Sequence, residues 1–334
     1  MPESFKKLVP ATGTATTPMD LLEEAELSPE ILAYLWFAVD LRMSIIVLGS
    51  SKLGKLRYLD ALSFFVPQEA RVVSISSEHH WTVPHRNWHD AKLDDWNHVL
   101  PYLSGAQAKD SDCVFIERLE EPGIMMAPLL MVQGKSVCST VDWEEDLDKF
   151  VQSITSSPPL LHRLHLSAVN IVATVQDVRK TMPEKETSEK FSKPIQKMTL
   201  VTEIVGYDHT ANRLIVNDPY WWEKAGSGID DRPYGWFFFS GHSFVYEAGI
   251  EIKKLANREM DAEVLRRVDF IRWLFYRKKD KPKQLMDEIA AYRRKPKEVA
   301  DRCRKELKGV SLPIDRKRKD GSPMPRTKAK LRAV

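Results

Sequence analysis

Five short apolar runs, rich in β-branched residues and separated by helical stretches, limit what this chain can become. They are residues 44–48 (SIIVL), 71–76 (RVVSIS), 113–117 (CVFIE), 136–141 (SVCSTV) and 169–175 (VNIVATV). Near-continuous apolar strands alternating with helices belong to a sheet covered on both faces. An α/β domain with a mostly parallel sheet is therefore expected. Ahead of the first run, Ser28, Pro29 and Glu30 supply an N-cap, a first-turn proline and a first-turn acid, so a helix is predicted from there to about residue 41.

The first run opens into a glycine-containing turn that reads Gly49, Ser50, Ser51, Lys52, Leu53, Gly54, Lys55, Leu56. The phosphate-loop pattern is G-x-x-x-x-G-K-[ST]. Its glycines let amide groups converge on phosphates, the following helix N-terminus adds positive potential, the lysine neutralises charge, and the last hydroxyl holds Mg²⁺. Gly49, Gly54 and Lys55 fit, whereas Leu56 has no oxygen. Residues 49–56 are thus the candidate cofactor-binding residues, with ATP and Mg²⁺ as possible cofactors whose binding is weak or lost. On these residues alone, a chance match between a strand and a helix stays open.

Composition narrows the function classes. The chain has 334 residues, 43% hydrophobic and 29% charged, which is globular. The longest apolar run, residues 31–39, has nine residues, short of the roughly 20 needed to span a bilayer. The N-terminus lacks the apolar stretch of a secretory signal. Cys113, Cys138 and Cys303 are an odd number at wide spacing with no CxxC pair, which argues against a disulfide framework and a zinc ribbon and points to a reducing, cytoplasmic compartment. Net charge is +3, yet residues 316–334 carry +7, leaving −4 on the rest.

After about residue 180 the texture changes. Residues 182–197 read as a polar loop, 198–205, 213–216 and 236–239 as strands, and 258–307 as helix in three pieces broken at Pro282 and Pro296.

Several ordered segments add a resemblance. Residues 28–49 (SPEILAYLWFAVDLRMSIIVLG), 72–75 (VVSI), 84–88 (PHRNW), 134–141 (GKSVCSTV) and the turn Phe239, Ser240, Gly241 resemble the archaeal flagellum and type IV pilus assembly ATPases of the GspE-like type II/IV secretion family. The likeness spans roughly residues 15–308. It implies a RecA-like P-loop NTPase core with a C-terminal helical subdomain. Together with the composition, which reads as an irregular lead-in rich in Thr, Ala and Pro at the start and as a Pro-, Lys- and Arg-rich stretch beyond Gly309, this divides the chain into 1–27 lead-in, 28–180 core, 181–309 strand and helical subdomain, and 310–334 basic disordered tail. It also implies a hexameric motor at a cytoplasmic membrane platform, and an N-terminal region of the family that is absent here or encoded separately.

The family's catalytic groups are mostly missing at the matching positions. Leu56 replaces the phosphate-loop threonine, Ser76 and Ser77 stand at its acidic pair, residues 103–111 (LSGAQAKDS) lack its arginines, and Asp142 stands at its histidine. Glu117 alone remains as a candidate catalytic residue, beside Lys55, and no metal ligand is assigned. The resemblance therefore implies a degenerate paralogue with weak or no hydrolysis. Its expected partners are secretion or pilus ATPase subunits, in a homo- or hetero-oligomer, and a membrane platform protein. An active ATPase completed by partner subunits, and a nucleic-acid-binding RecA-like protein, are the alternatives. Asp142 is also well placed to cap a following helix. His79, His80, His85 and His89 read as polar loop residues before metal ligands, and the aromatic runs at 221–222 (WW) and 236–239 (WFFF) as buried strands before base-stacking surfaces. The basic tail is a candidate tether to an anionic membrane.

Overall fold

The computed structural model describes residues 16–79, 81–92, 111–120, 123–156, 162–178, 195–223, 236–314 and 332–334. Their ten strands form a single sheet. Helices α1 (Pro18–Glu23) and α2 (Pro29–Asp40) lead into β1 (Ile45–Gly49), and α3 (Leu56–Ser63) connects it to β2 (Val72–Ser76). Then come β3 (Trp88–Lys92), β4 (Cys113–Ile116), α4 (Gly123–Val132), β5 (Ser136–Asp142), α5 (Leu147–Thr155), α6 (Arg163–Leu166) and β6 (Ile171–Asp177). The remaining elements are β7 (Gln196–Asp208), β8 (Arg213–Glu223), β9 (Trp236–Phe239), α7 (Phe244–Lys253), α8 (Asn257–Tyr276), α9 (Pro282–Arg294), α10 (Pro296–Glu306) and β10 (Arg332–Ala333).

The strand order is β10-β8-β7-β6-β1-β5-β4-β2-β3, with β9 also on β8. From β6 to β3 every pairing is parallel; β7 to β10 pair antiparallel. Two features define the RecA-like arrangement: β5 lies between the loop-bearing strand β1 and β4, and helices cover both faces. Side-chain alternation builds those faces. Ile45, Val47, Phe115 and Ala173 meet α1–α3 and the C-terminal helices, while Ile46, Leu48, Val114, Ile116 and Val172 meet α4, α5 and α6.

Helix α2 is the hinge of the packing. Ser28 caps it through the Ile31 amide at 3.3 Å, and ten of its twelve residues are buried. Trp36 stacks on Phe65 at 5.1 Å and packs on Tyr292 at 5.0 Å. At its end, Asp40 meets Arg267 of α8 at 2.8 Å and Arg293 of α9 at 2.6 Å. Burial works against ionising Asp40, but the two guanidinium groups outweigh it and hold the carboxyl below its ordinary value. The prolines at 282 and 296 each open a new helix, as the sequence predicted.

Several expectations change. Residues 16–27 are not irregular: Thr17 and Asp20 form a capping box for α1, and Met19, Leu21, Leu22 and Leu27 are buried. The terminal segment is not free throughout either. Leu312 and Ile314 pack into the core, and Arg332–Ala333 pairs with β8, where Arg332 reaches Asp148 at 2.7 Å and Asp218 at 3.0 Å. Short-range charge pairing and β8's open edge hold it there. Strand β3 was hidden in sequence because its residues, WHDAK, show no apolar alternation. Residues 103–110, most of the segment lacking arginines, lie outside the described residues, as do His80, most of the polar loop at 182–197 and residues 315–331 of the tail.

Candidate functional site

Strands β1 and β5 run side by side in register, with Gly49 opposite Asp142, so both end at the same edge of the sheet. The Trp143 amide donates to the Gly49 carbonyl at 2.9 Å and ties those ends together. Gly49 is required by this crowding: a Cβ there would lie 2.6 Å from the Val175 carbonyl oxygen of β6. Neither Gly49 nor Gly54 has a positive φ.

The loop that follows closes on itself. Lys55 is only 4% exposed, and its Nζ lies 2.6 Å from Asp142 Oδ1 while donating to the Ser50 carbonyl at 2.6 Å. The Leu53 amide donates to Ser50 O at 3.1 Å and the Lys55 amide to Leu53 O at 2.8 Å. The Gly54 amide donates to the side-chain oxygen of Gln196, 2.8 Å away on β7. Ser50 Oγ donates to Glu144 at 2.8 Å and receives the Lys52 amide at 3.4 Å. Leu53 is buried, Ser51 and Lys52 are exposed, and Leu56 begins α3. Lys55 occupies the N-cap position of α3 without a side-chain cap.

Gln196 is itself held. Its Nε2 donates to Glu26 Oε2 at 3.2 Å, and Glu26 Oε1 takes Arg57 of α3 at 2.5 Å. Burial pushes the Glu26 carboxyl up to about 7 against the pull of Arg57. The lead-in turn is thereby wired to the second glycine of the loop.

Asp142 has a second cation. Arg118, just beyond β4, sends Nη1 to Asp142 Oδ2 at 3.5 Å and Nε to Glu120 at 2.7 Å. A carboxylate between a lysine and an arginine is what a phosphate would be in an open loop. Asp142 does not cap a helix; Asp146 does, accepting the Lys149 amide at 2.9 Å. Asp142 is too early in the chain for that role, because β5 continues through it and the helix starts five residues later, at Leu147.

Glu117 is equally committed. Its Oε2 accepts the amides of Ser77 at 2.6 Å, Glu78 at 3.2 Å and His79 at 3.4 Å, and the Ser77 hydroxyl at 3.1 Å. Burial opposes ionisation, but the Glu78, Ser77 and His79 amides and the Ser77 hydroxyl together hold the carboxyl below its ordinary value. Glu117 is an ionised anchor for the turn after β2. In that turn His79 Nε2 lies 2.8 Å from Asp60 of α3. Burial would lower its pKa, yet the Asp60 hydrogen bond and the charges of Asp60, Glu117 and Asp90 raise it. His85 lies 2.9 Å from the Pro67 carbonyl. Among the described residues no three His, Cys, Asp or Glu side chains gather as a metal site.

The structure therefore brings residues 49–56 together with Asp142, Arg118, Gln196 and Glu144, and sets Glu117 on a separate turn. Within this loop the groups that a phosphate loop offers are taken up by the chain itself. The lysine charge is compensated, the amides of Leu53, Gly54 and Lys55 are engaged, and Leu56 offers no hydroxyl for a cation. Sequence reasoning missed Asp142 as a partner of Lys55. The available signal was an acid directly after the strand predicted at residues 136–141, within the GKSVCSTV run.

Fold and site together define an α/β protein with a RecA-like strand order and a phosphate-loop-like turn closed by its own carboxylate. No protein-family model matches the chain. An uncharacterized protein of Methanocaldococcus jannaschii, MJ1287, is 26% identical over 267 residues, covering 76% of this chain and 90% of that one. Among solved structures, the VirB11 ATPase of the Brucella suis type IV secretion system, in complex with sulphate, is 14% identical at a TM-score of 0.40, covering 57% of each chain. The pilus retraction motor PilT with bound ADP is 17% identical at 0.38, covering 46% of this chain and 47% of that one. The Legionella pneumophila ATPase DotB is 10% identical at 0.37, covering 59% and 51%. The chain spans about half the length of these solved structures. No helix among the described residues is long and apolar enough to cross a membrane.

Proposed function

We propose that this chain is a non-hydrolysing relative of the type II/IV secretion and pilus assembly ATPases that serves as a subunit beside an active motor. The observation that carries the reading is the Lys55–Asp142 ion pair, backed by the Ser50 carbonyl. Phosphoryl transfer depends on charge stabilisation, and the loss of a single arginine finger slows it by about 10³–10⁵-fold. Here the phosphate-loop lysine is already neutralised. Its carboxylate partner stands where the family resemblance has a histidine, and Glu117 is engaged by three amides and a hydroxyl. ATP and Mg²⁺ are thus bound weakly or not at all, and the retained fold supplies contacts to partner subunits and to the membrane platform.

The test is Mg²⁺-dependent ATP turnover by the purified chain, alone and mixed with intact family ATPases, together with co-purification of the two. Negligible turnover alone and stable co-assembly are expected. A turnover near 1 s⁻¹, the low end of ordinary enzyme rates, lost on Lys55→Ala, overturns the proposal, as does the absence of any self- or hetero-association.

A further inference from the structure

Charge is distributed unevenly in the C-terminal helices. Residues 277–308 contain 13 Lys and Arg against six Asp and Glu. Most of the acids are spent internally. Glu306 receives Arg277 at 3.2 Å and the Trp273 indole at 2.7 Å, Glu288 receives Lys279 at 3.4 Å and Arg302 at 3.5 Å, and Glu298 receives Lys295 at 2.8 Å. Arg304 takes Asp301 at 3.3 Å and Asp269 at 2.8 Å. These contacts also fix the geometry: the end of α8 lies beside the end of α10, with the start of α9 next to both.

Five lysines meet at that end of the module. Lys278, Lys281 and Lys283 lie on the α8–α9 turn and the first residues of α9, and Lys305 and Lys308 lie at the end of α10. All five are exposed, and none has an ion-pair partner among the described residues. Two exposed acids, Asp280 and Asp287, are the neighbouring negative charges. Lysines near helix C-termini also complement the helix dipole, but that effect needs one or two of them, not five.

We propose that this lysine end of the α8–α10 module docks on an anionic lipid surface. The free cations here are all lysine, whereas Arg277, Arg302 and Arg304 are held in internal pairs, Arg302 also over the Trp273 ring at 4.9 Å. Strongly hydrated point charges suit a diffuse, fluid field of headgroups, while nucleic-acid readout favours arginine forks and stacking aromatics. Among the described residues Tyr276, which ends α8, is the one exposed large hydrophobic side chain beside these lysines, and none follows within residues 277–308. Attachment is therefore chiefly electrostatic and reversible by salt.

The experiment is co-sedimentation of the full chain with phosphatidylcholine vesicles with and without phosphatidylserine, over a range of salt. Each lysine near such a surface contributes about fivefold in binding. The variant K278Q/K281Q/K283Q/K305Q/K308Q is expected to lose at least tenfold in binding at low salt with its melting temperature unchanged, and the corresponding all-arginine variant to keep binding. The variant R294Q/K297Q, at the opposite end of the module, is expected to bind as the wild type does. The proposal is overturned if the five-glutamine variant binds like the wild type, if R294Q/K297Q loses as much, or if vesicles without phosphatidylserine bind equally well. Tighter binding to duplex DNA than to vesicles, lost in the five-glutamine variant, also overturns it.

Discussion

Breaking the Lys55–Asp142 pair from either side has unequal consequences, and that inequality can be measured. Lys55 is 4% exposed, and Asp142 at 2.6 Å is its charged partner, 33% exposed. Asp142→Leu leaves a buried ammonium with only the Ser50 carbonyl. Removing one member of a buried pair costs about 3–5 kcal/mol, and the partial exposure of Asp142 places this case near ~3 kcal/mol. Lys55→Met leaves Asp142 with water and Arg118 at 3.5 Å, a loss of about 1 kcal/mol. The double variant removes both charges, and apolar replacement of a whole pair is often neutral, so it is expected to cost no more than about 1 kcal/mol. Urea unfolding of the four proteins forms a double-mutant cycle with an expected coupling of at least ~2 kcal/mol. A coupling under about 0.5 kcal/mol, the limit for independent sites, refutes the reasoning, because it means the two groups do not face one another in solution.

Glu117→Gln is expected to destabilise by about 1–2 kcal/mol at neutral pH, since charge-assisted acceptance from three amides and a hydroxyl is lost. The native pKa lies below the ordinary 4.5, so the contribution of Glu117 is fully present above that value and disappears as pH falls through the native one. The gap to wild type in acid titrations of stability should close accordingly. Glu203→Ala removes the acceptor of Tyr34 at 3.0 Å, Asn217 at 2.7 Å, Ser243 at 2.6 Å and the amides of Phe244 and Val245 at 2.9 and 3.1 Å. A loss above ~4 kcal/mol, or failure to fold, is expected in denaturant titrations. Arg332→Ala should lower stability by about 1 kcal/mol by releasing Asp148 and Asp218, and thermal unfolding that matches wild type would return the chain end to the status of a free tail.

The parts of the fold governed by local periodicity were readable without coordinates. The five runs became β1, β2, β4, β5 and β6, because buried parallel strands must be apolar on both faces. Ser28 and Pro29 marked α2, and Pro282 and Pro296 marked α9 and α10, because caps and prolines act within one turn. Strand β3 was invisible: among the described strands it pairs with β2 alone, and WHDAK carries no apolar alternation. The two-residue β10 carries no periodic signal at all; its place depends on Arg332 meeting acids more than a hundred residues away. The site divided in the same way. Gly49, Gly54 and Lys55 could be read from their spacing, but the groups that close the loop, Asp142, Gln196 and Arg118, come from three other strand ends. Asp142 carried a plausible local role as a cap, and only the β1–β5 register turned it toward Lys55.

Calorimetric titration of the wild-type chain with Mg·ATP tests the closed phosphate loop most directly, with Lys55→Ala as the reference. A loop whose lysine is neutralised by Asp142 and whose amides are engaged predicts no saturable binding below about 1 mM, the weak end of ordinary enzyme affinities, and identical traces for the two proteins. Saturable binding at micromolar nucleotide that vanishes in Lys55→Ala would show that Asp142 yields its place to phosphate, contradicting the account.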